Sequence, residues 1–201
     1  AGLAYSGVDF SRPTSTSLWV FGLRSTSVDR SNLAVFNGGA GPVTVRITLF
    51  SGSGDGRSVV FREAETVEPL GWIQYSRLLD EVQMQNAYAL VQRVSDAGFF
   101  SAYGVVNDNV TNDGSFLLPS FDLFAGTTLT VPVLVESSLY RSELVLANRG
   151  SEPRTLAMTY VESIASEKGQ SFEVVQALRP GEQLLVADAM EYLREHGAVL
   201  G

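Results

Sequence analysis

A stretch of 31 residues occurs twice in this chain: residues 20–50 lie without a gap on residues 131–161, at a shift of 111 positions (131 − 20). Eleven of those 31 positions are identical, among them Arg30/Arg141, Ser31/Ser142, Leu33/Leu144, Asn37/Asn148, Gly39/Gly150 and Pro42/Pro153. A repeat restricts the fold to one that can be built twice, and its period says of what kind. Solenoid repeats run to roughly 20–50 residues. A period of 111 is far longer, so each copy should enclose its own core, giving two modules in 201 residues.

The copies read as β-structure. Val43, Val45, Ile47 and Leu49 alternate with Thr44, Arg46 and Thr48, the period of two that buries one face of a strand. Copy two keeps the alternation as Arg154, Leu156, Met158 and Tyr160, with one polar edge position. Residues 31–37 place Leu33 and Val35 on one face and Asn32, Ala34 and Phe36 on the other, as in a strand partly covered on both sides. The Asn-Gly-Gly-Ala-Gly-Pro run at 37–42 is a turn cluster in which Asn and Gly are expected to supply positive φ. Further strands are expected over residues 59–67, 72–75, 87–94 and 99–106, with second-copy counterparts around Phe172 and over 184–187. A short helix capped by Ser76 should carry Leu78, Leu79 and Val82 on one stripe; its counterpart, 188–195, carries Ala189, Met190 and Leu193. Short strands, regular turns and one helical turn per copy, without βαβ alternation, predict an all-β protein of two β-sandwiches.

The expected organisation is an N-terminal strand segment at 1–19, a first sandwich at 20–119 and a second, incomplete on its own, at 120–201. Gly201 aligns with Leu90, so the second copy lacks counterparts of residues 91–119. The N-terminus carries similar sequence: Ala4-Tyr5-Ser6-Gly7-Val8 resembles Ala102-Tyr103-Gly104-Val105-Val106, and Ser17-Leu18-Trp19 resembles Ser115-Phe116-Leu117. A sandwich short of a strand exposes an apolar groove and unpaired backbone groups. Three arrangements would resolve this. The chain is a piece of a longer tandem array; or its N-terminal strand completes copy two in the same molecule; or that strand completes copy two of a neighbour and builds a head-to-tail filament. As donor, the strand would engage its acceptor through Leu3, Tyr5, Val8 and Phe10.

A net charge of −8 and a pI near 4.6 argue against nucleic acid, which needs a basic footprint, and against anionic membrane surfaces. No apolar run approaches the roughly 18 residues of a membrane span. Lys168 is the sole lysine among 14 basic residues, a composition that reads as coding bias. Cysteine is absent, which removes disulfides, thiolate metal sites and cysteine nucleophiles.

Arg-Ser-Asn-Leu-Ala-Val-Phe-Asn (30–37), Arg-Ser-Glu-Leu-Val-Leu-Ala-Asn (141–148) and Ala-Tyr-Gly-Val-Val-Asn-Asp-Asn-Val-Thr-Asn-Asp (102–113) together resemble tandem immunoglobulin-like β-sandwich modules of large secreted bacterial proteins. The resemblance covers both copies. It implies two immunoglobulin-like domains, an extracellular or cell-surface location and a structural or adhesive role, and it brings no catalytic residue.

Individual residues point the same way. His196 is the one histidine, beside Glu195 at the end of the second helix, where a surface role is expected; Gly-x-Ser-x-Gly is absent, and one histidine without cysteine makes no zinc site. Residues 107–114 are rich in oxygen, so Asp108, Asn109, Asn112 and Asp113 form a candidate Ca²⁺ loop. It lacks the spacing and distal Glu of an EF-hand, and an Asx-turn hairpin is the favoured reading. Asn109-Val110-Thr111 is also a formal glycosylation sequon. Trp19, Trp72, Tyr75, Tyr88 and Tyr103 could stack on a sugar but lie in apolar runs, where core packing is expected. Asp80, Glu81 and Glu152 are not placed as a glycosidase pair. Arg30 and Arg141, each followed by Ser, are expected to clamp carbonyls or a carboxylate at a sandwich edge. The expectation is a non-catalytic structural protein that self-associates by β-strand complementation, without nucleic acid, membrane insertion or cofactor; the alternative is an adhesion or carbohydrate-binding module with a glycan partner.

Overall fold

The structure, a computed structural model, describes residues 16–121, 128–161 and 171–198. The fold is mostly β, with antiparallel sheets and two short helices, and it divides into two compact units, Ala1–Ala125 and Gly126–Gly201.

In the first unit the strands are β1 (Ser17–Arg24), β2 (Asp29–Phe36), β3 (Val43–Ser51), β4 (Ser58–Val67), β5 (Trp72–Tyr75), β6 (Asn86–Arg93), β7 (Ser101–Asp108), β8 (Gly114–Leu117) and β9 (Ser120–Phe121); α1 is Leu78–Val82. They form a five-stranded sheet, β4-β3-β6-β1-β9, and a four-stranded sheet, β5-β2-β7-β8. One core joins the two. Leu18, Val20 and Leu23 of β1, Val43 to Leu49 at alternate positions of β3, and Ala87, Ala89 and Val91 of β6 come from the first sheet. Leu33 and Val35 of β2 and Ala102 of β7 come from the second, and Leu78 and Leu79 of α1 close the assembly. The small residue at 104 is required by this packing. A Cβ there would sit 3.0 Å from Val20 and 3.1 Å from Leu23 and Leu117, so β1 and β7 approach closely where Gly104 stands.

The second unit contains β10 (Leu144–Ala147), β11 (Arg154–Val161), β12 (Ser171–Leu178), β13 (Gln183–Val186) and α2 (Ala189–Glu195). Its pairings repeat those of the first unit at the 111-residue shift. Leu33 faces Tyr75 and Phe36 faces Trp72; Leu144 faces Val186 and Ala147 faces Gln183. Val43 faces Val67, and Arg154 faces Leu178. The copies part where β3 and β4 shift register between Val45 and Thr48, while β11 and β12 run unbroken to Val161 opposite Ser171.

Three details correct the sequence reading. No residue of the turn at 37–42 takes positive φ. The turn is held instead by the buried Asn37 side chain: its Nδ2 donates to the Gly41 and Val67 carbonyls, and its Oδ1 accepts from Gly39 N–H. Asn148 repeats this arrangement with Glu152, Leu178 and Gly150. Ser76 does not cap α1. Arg77 occupies the cap position in a left-handed conformation (φ 53°), its N–H bonded to Asn32 Oδ1, and the Ser76 hydroxyl accepts from Gln74 Nε2 instead of from a helical amide. Finally, the expected boundary after residue 19 falls inside β1, where Ser17, Leu18 and Trp19 pair with Gln92, Val91 and Leu90 of the first unit.

Candidate functional site

The site is built from strand edges. In the first unit β2 is paired on both sides, by β5 and β7, and β3 on both sides, by β4 and β6. Their copies β10 and β11 each pair on one side, with β13 and β12, and among the described residues nothing occupies the other. The two positions left open are those that β7 and β6 fill in the first unit. An unpaired edge presents a row of N–H and C=O groups ready to bond an extended chain.

Apolar surface accompanies the open edges. Leu18 and Val20 are 2% and 0% exposed, whereas their copies Leu129 and Val131 are 70% and 56% exposed and lie outside any strand. In the first unit β1 is held as a strand by β6 and β9; among the described residues, none pairs with residues 128–135 in that way. Val45 and Ile47 of β3 are fully buried, while Leu156 and Met158 of β11 are half-buried. At the end of the edge, Arg24 Nε bonds Asp29 Oδ2 at 2.8 Å. The copy of that ion pair is Val135 and Tyr140, both exposed, next to exposed Leu139.

Among the described residues, one buried cluster of the second unit is Val174, Met190, Leu193 and Ala198, with Leu134, Met158, Tyr160, Phe172 and Tyr192 packed against it, and Leu178, Val186 and Ala189 are buried as well. Helix α2 is well capped, with Asp188 Oδ1 accepting from Met190 and Glu191 N–H.

The two repeated arginines occupy the same position with different partners. Arg30 reaches from β2 to the β7–β8 turn, where Nη1 donates to the Asp108 carbonyl (3.2 Å) and Asn109 Oδ1 (3.0 Å), and Nη2 to Asn112 Oδ1 (2.7 Å). Arg141 keeps the arginine, but the second unit's described residues include no such turn; it pairs with Asp188 at 3.2 Å and is largely exposed. Close by, Arg194 bonds Glu136, whose carboxyl it holds below the usual carboxylate range. Glu136, Arg141, Asp188, Glu191, Arg194 and Glu195 line an open depression of about 500 Å³. Its charged, shallow lining is unlike the apolar cleft that holds a small organic ligand.

The Arg30 clamp disposes of the candidate Ca²⁺ loop. A guanidinium stands against the oxygens a cation would need, and Asp108 Oδ1 accepts from the N–H groups of Val110 and Thr111. Those amides hold the Asp108 carboxyl below its ordinary pKa. Asn109 Nδ2 donates to the Thr26 and Ser27 carbonyls, so the sequon asparagine is also engaged, and Asp113 accepts from Asp108 N–H through its backbone oxygen. No group of three His, Asp or Glu able to hold a metal occurs among the described residues. The loop is an Asx-type turn latched by an arginine.

His196 ends α2, its ring 4.1 Å from that of Tyr192 and its Nδ1 2.7 Å from the Tyr192 carbonyl. The aromatics separate into groups. Trp19 and Tyr88 belong with Phe21 and Phe50 to a ring cluster on the side of the five-stranded sheet opposite the core, with centroids 5.4–6.1 Å apart. Tyr75 packs edge-on against Phe61. Trp72, 54% exposed, donates its indole N–H to Tyr103 Oη, and Tyr103 meets Phe116. Asp80 and Glu81 lie on α1 near Arg77 and Arg62. Leu3, Tyr5, Val8 and Phe10 lie outside the described residues. Among those described, no helix is long and apolar enough to cross a membrane.

Sequence reasoning singled out Arg141 through the repeat but missed Asp188 as its partner and residues 129–140 as an exposed apolar surface. The signal was available: Val135 and Tyr140 replace an Arg–Asp pair at aligned positions.

No protein-family model and no curated protein matches this chain. Among solved structures, the crystal structure of Thermotoga maritima 1070 is similar at a TM-score of 0.40 and 13% identity, over 55% of this chain and 94% of that one.

Proposed function

We propose that this is a non-catalytic structural protein of the cell surface or extracellular space, made of two tandem immunoglobulin-like sandwiches, that self-associates by β-strand addition to its second unit. The observation carrying this reading is that, among the described residues, β10 and β11 are each paired on one side only, whereas their copies β2 and β3 are paired on both. Backbone hydrogen bonds along an added strand supply affinity, and alternate side chains entering the half-covered core supply selectivity. Covering Leu129 and Val131 would contribute about 1–2 kcal/mol each, at the usual value for burying an aliphatic side chain. Sedimentation velocity tests the reading. The whole chain should form concentration-dependent oligomers, and a chain lacking residues 1–15 should sediment as a monomer; equal behaviour of the two contradicts it.

A second reading, carbohydrate binding, is favoured by the exposed Trp72, whose indole is oriented by Tyr103 beside Phe116. A glycan array probed with the protein and with Trp72→Ala tests it: binding lost in the variant supports it, and no glycan bound by the protein contradicts it.

A further inference from the structure

We infer that Asn37 is a site of spontaneous covalent modification gated by the fold. Its side-chain amide is protected from deamidation while the first unit is folded and is open to attack by the Gly38 backbone nitrogen when that unit opens. Once the amide is lost, the unit is kept from closing again.

The sequence assigns the residue. Deamidation begins when the backbone nitrogen of the residue after an asparagine attacks the asparagine Cγ, and a side chain on that following residue hinders the approach. Glycine has none and reaches the required backbone conformations freely. Asn-Gly occurs once in this chain, at 37–38. The repeat supplies a control, because Asn148 stands at the same place in the second unit but is followed by Arg149.

The folded first unit supplies the gate. Asn37 is 1% exposed, and both protons of its amide are engaged. Nδ2 donates to the Gly41 carbonyl at 2.8 Å and the Val67 carbonyl at 2.9 Å, while Oδ1 accepts from Gly39 N–H at 2.8 Å. The Asn37 backbone is fixed as well, its N–H donating to the Gly71 carbonyl at 2.9 Å. Turning Cγ onto the Gly38 nitrogen breaks these bonds and leaves buried acceptors without partners, which is costly. Asn148 is held in the same way, by the Glu152 and Leu178 carbonyls, Gly150 N–H and the Glu182 carbonyl. Folded, both asparagines are restrained; unfolded, only Asn37 has a glycine beside it.

The step needs water and no other reactant. The Gly38 nitrogen lone pair forms a bond to Asn37 Cγ as the Gly38 N–H proton passes to solvent. The Cγ–Nδ2 bond breaks, and Nδ2 leaves as ammonia after taking a proton from solvent. Water then opens the cyclic imide at either carbonyl, leaving aspartate or iso-aspartate at position 37. Neither product restores the turn. An ionised carboxylate only accepts hydrogen bonds, so in the place of Nδ2 it sets a negative oxygen against the Gly41 and Val67 carbonyls. The iso form also adds a main-chain carbon between β2 and the turn. A chain altered in its unfolded state faster than it refolds makes an otherwise reversible opening permanent.

Peptide mapping by mass spectrometry tests this on the whole chain, incubated at mildly alkaline pH with and without guanidinium chloride. In denaturant, Asn37 should convert at least tenfold faster than in the folded chain and at least tenfold faster than Asn148. Gly38 has no positive φ, so Gly38→Ala fits the folded turn, and in denaturant it should lower the Asn37 rate to that of Asn148. Arg149→Gly should raise the Asn148 rate to that of Asn37. After dilution from denaturant, the fraction regaining native circular dichroism should fall in step with conversion at Asn37, while Gly38→Ala refolds fully after the same incubation. A folded-chain rate within tenfold of the denatured one would overturn the gate. An Asn148 rate within tenfold of that of Asn37, or a rate unchanged by Gly38→Ala, would overturn the site. Converted chains that refold completely would overturn the block on closing.

Discussion

Asn37 and Asn148 show how single residues hold each copy together. Each side-chain amide satisfies carbonyls on both its own turn and a strand 30 residues away, while its oxygen takes a local N–H. Replacing Asn37 with Ala strands buried acceptors, so Asn37→Ala should cost about 2–4 kcal/mol, read by urea denaturation. Arg30→Ala should cost less, about 1–2 kcal/mol, because its partners at the β7–β8 turn reach water when released. The Asp108 carboxyl in that turn has a folded-state pKa depressed by the Thr111 and Val110 amides. Its stabilisation is therefore complete above the unfolded value and lost as pH falls through the folded one. Acid titration of stability below about pH 4 should be shallower in Asp108→Asn than in the parent. The identity of the two asparagines was legible in the repeat, but their role was not. Asn-Gly-Gly suggests positive φ, and no local pattern reveals that the side chain reaches the end of the β3–β4 hairpin.

At the scale of elements, alternation located the strands well because each buries one face, and β3 was the clearest for having Val43, Val45, Ile47 and Leu49 in the core. Helix starts were less legible. Ser76 stands where a cap is common, yet the left-handed Arg77 intervenes. Ser76→Ala should therefore shift stability by no more than about 0.5 kcal/mol. Asp188→Ala, by contrast, removes the acceptor of two helical amides and the partner of Arg141, and should cost about 1 kcal/mol or more. Thermal unfolding of both variants compares the two helices directly. The aromatic residues taken for core divide between the core, as for Tyr75 against Phe61, and the outer sheet faces, as for Trp19 and Trp72, because alternation alone does not say which side of a strand is the inner one.

At the scale of the molecule, the repeat makes the first unit a template for the second. Among the described residues the second unit repeats β2, β3, β4 and β5 as β10 to β13, while residues 128–135, the copy of β1, lie outside any strand with Leu129 and Val131 exposed. That difference was half legible: the shared alternation predicted the copies of β2 to β5, whereas nothing in the repeat shows that residues 128–135, the copy of β1, lie outside any strand. Hydrogen exchange of the β10 amides that point away from β13, followed as the whole chain is diluted, tests the central claim most directly. Strand addition between molecules predicts slow exchange at high concentration and at least tenfold faster exchange on dilution, with β2 amides unchanged. Exchange at β10 that is fast at every concentration, or slow and independent of it, would contradict the account.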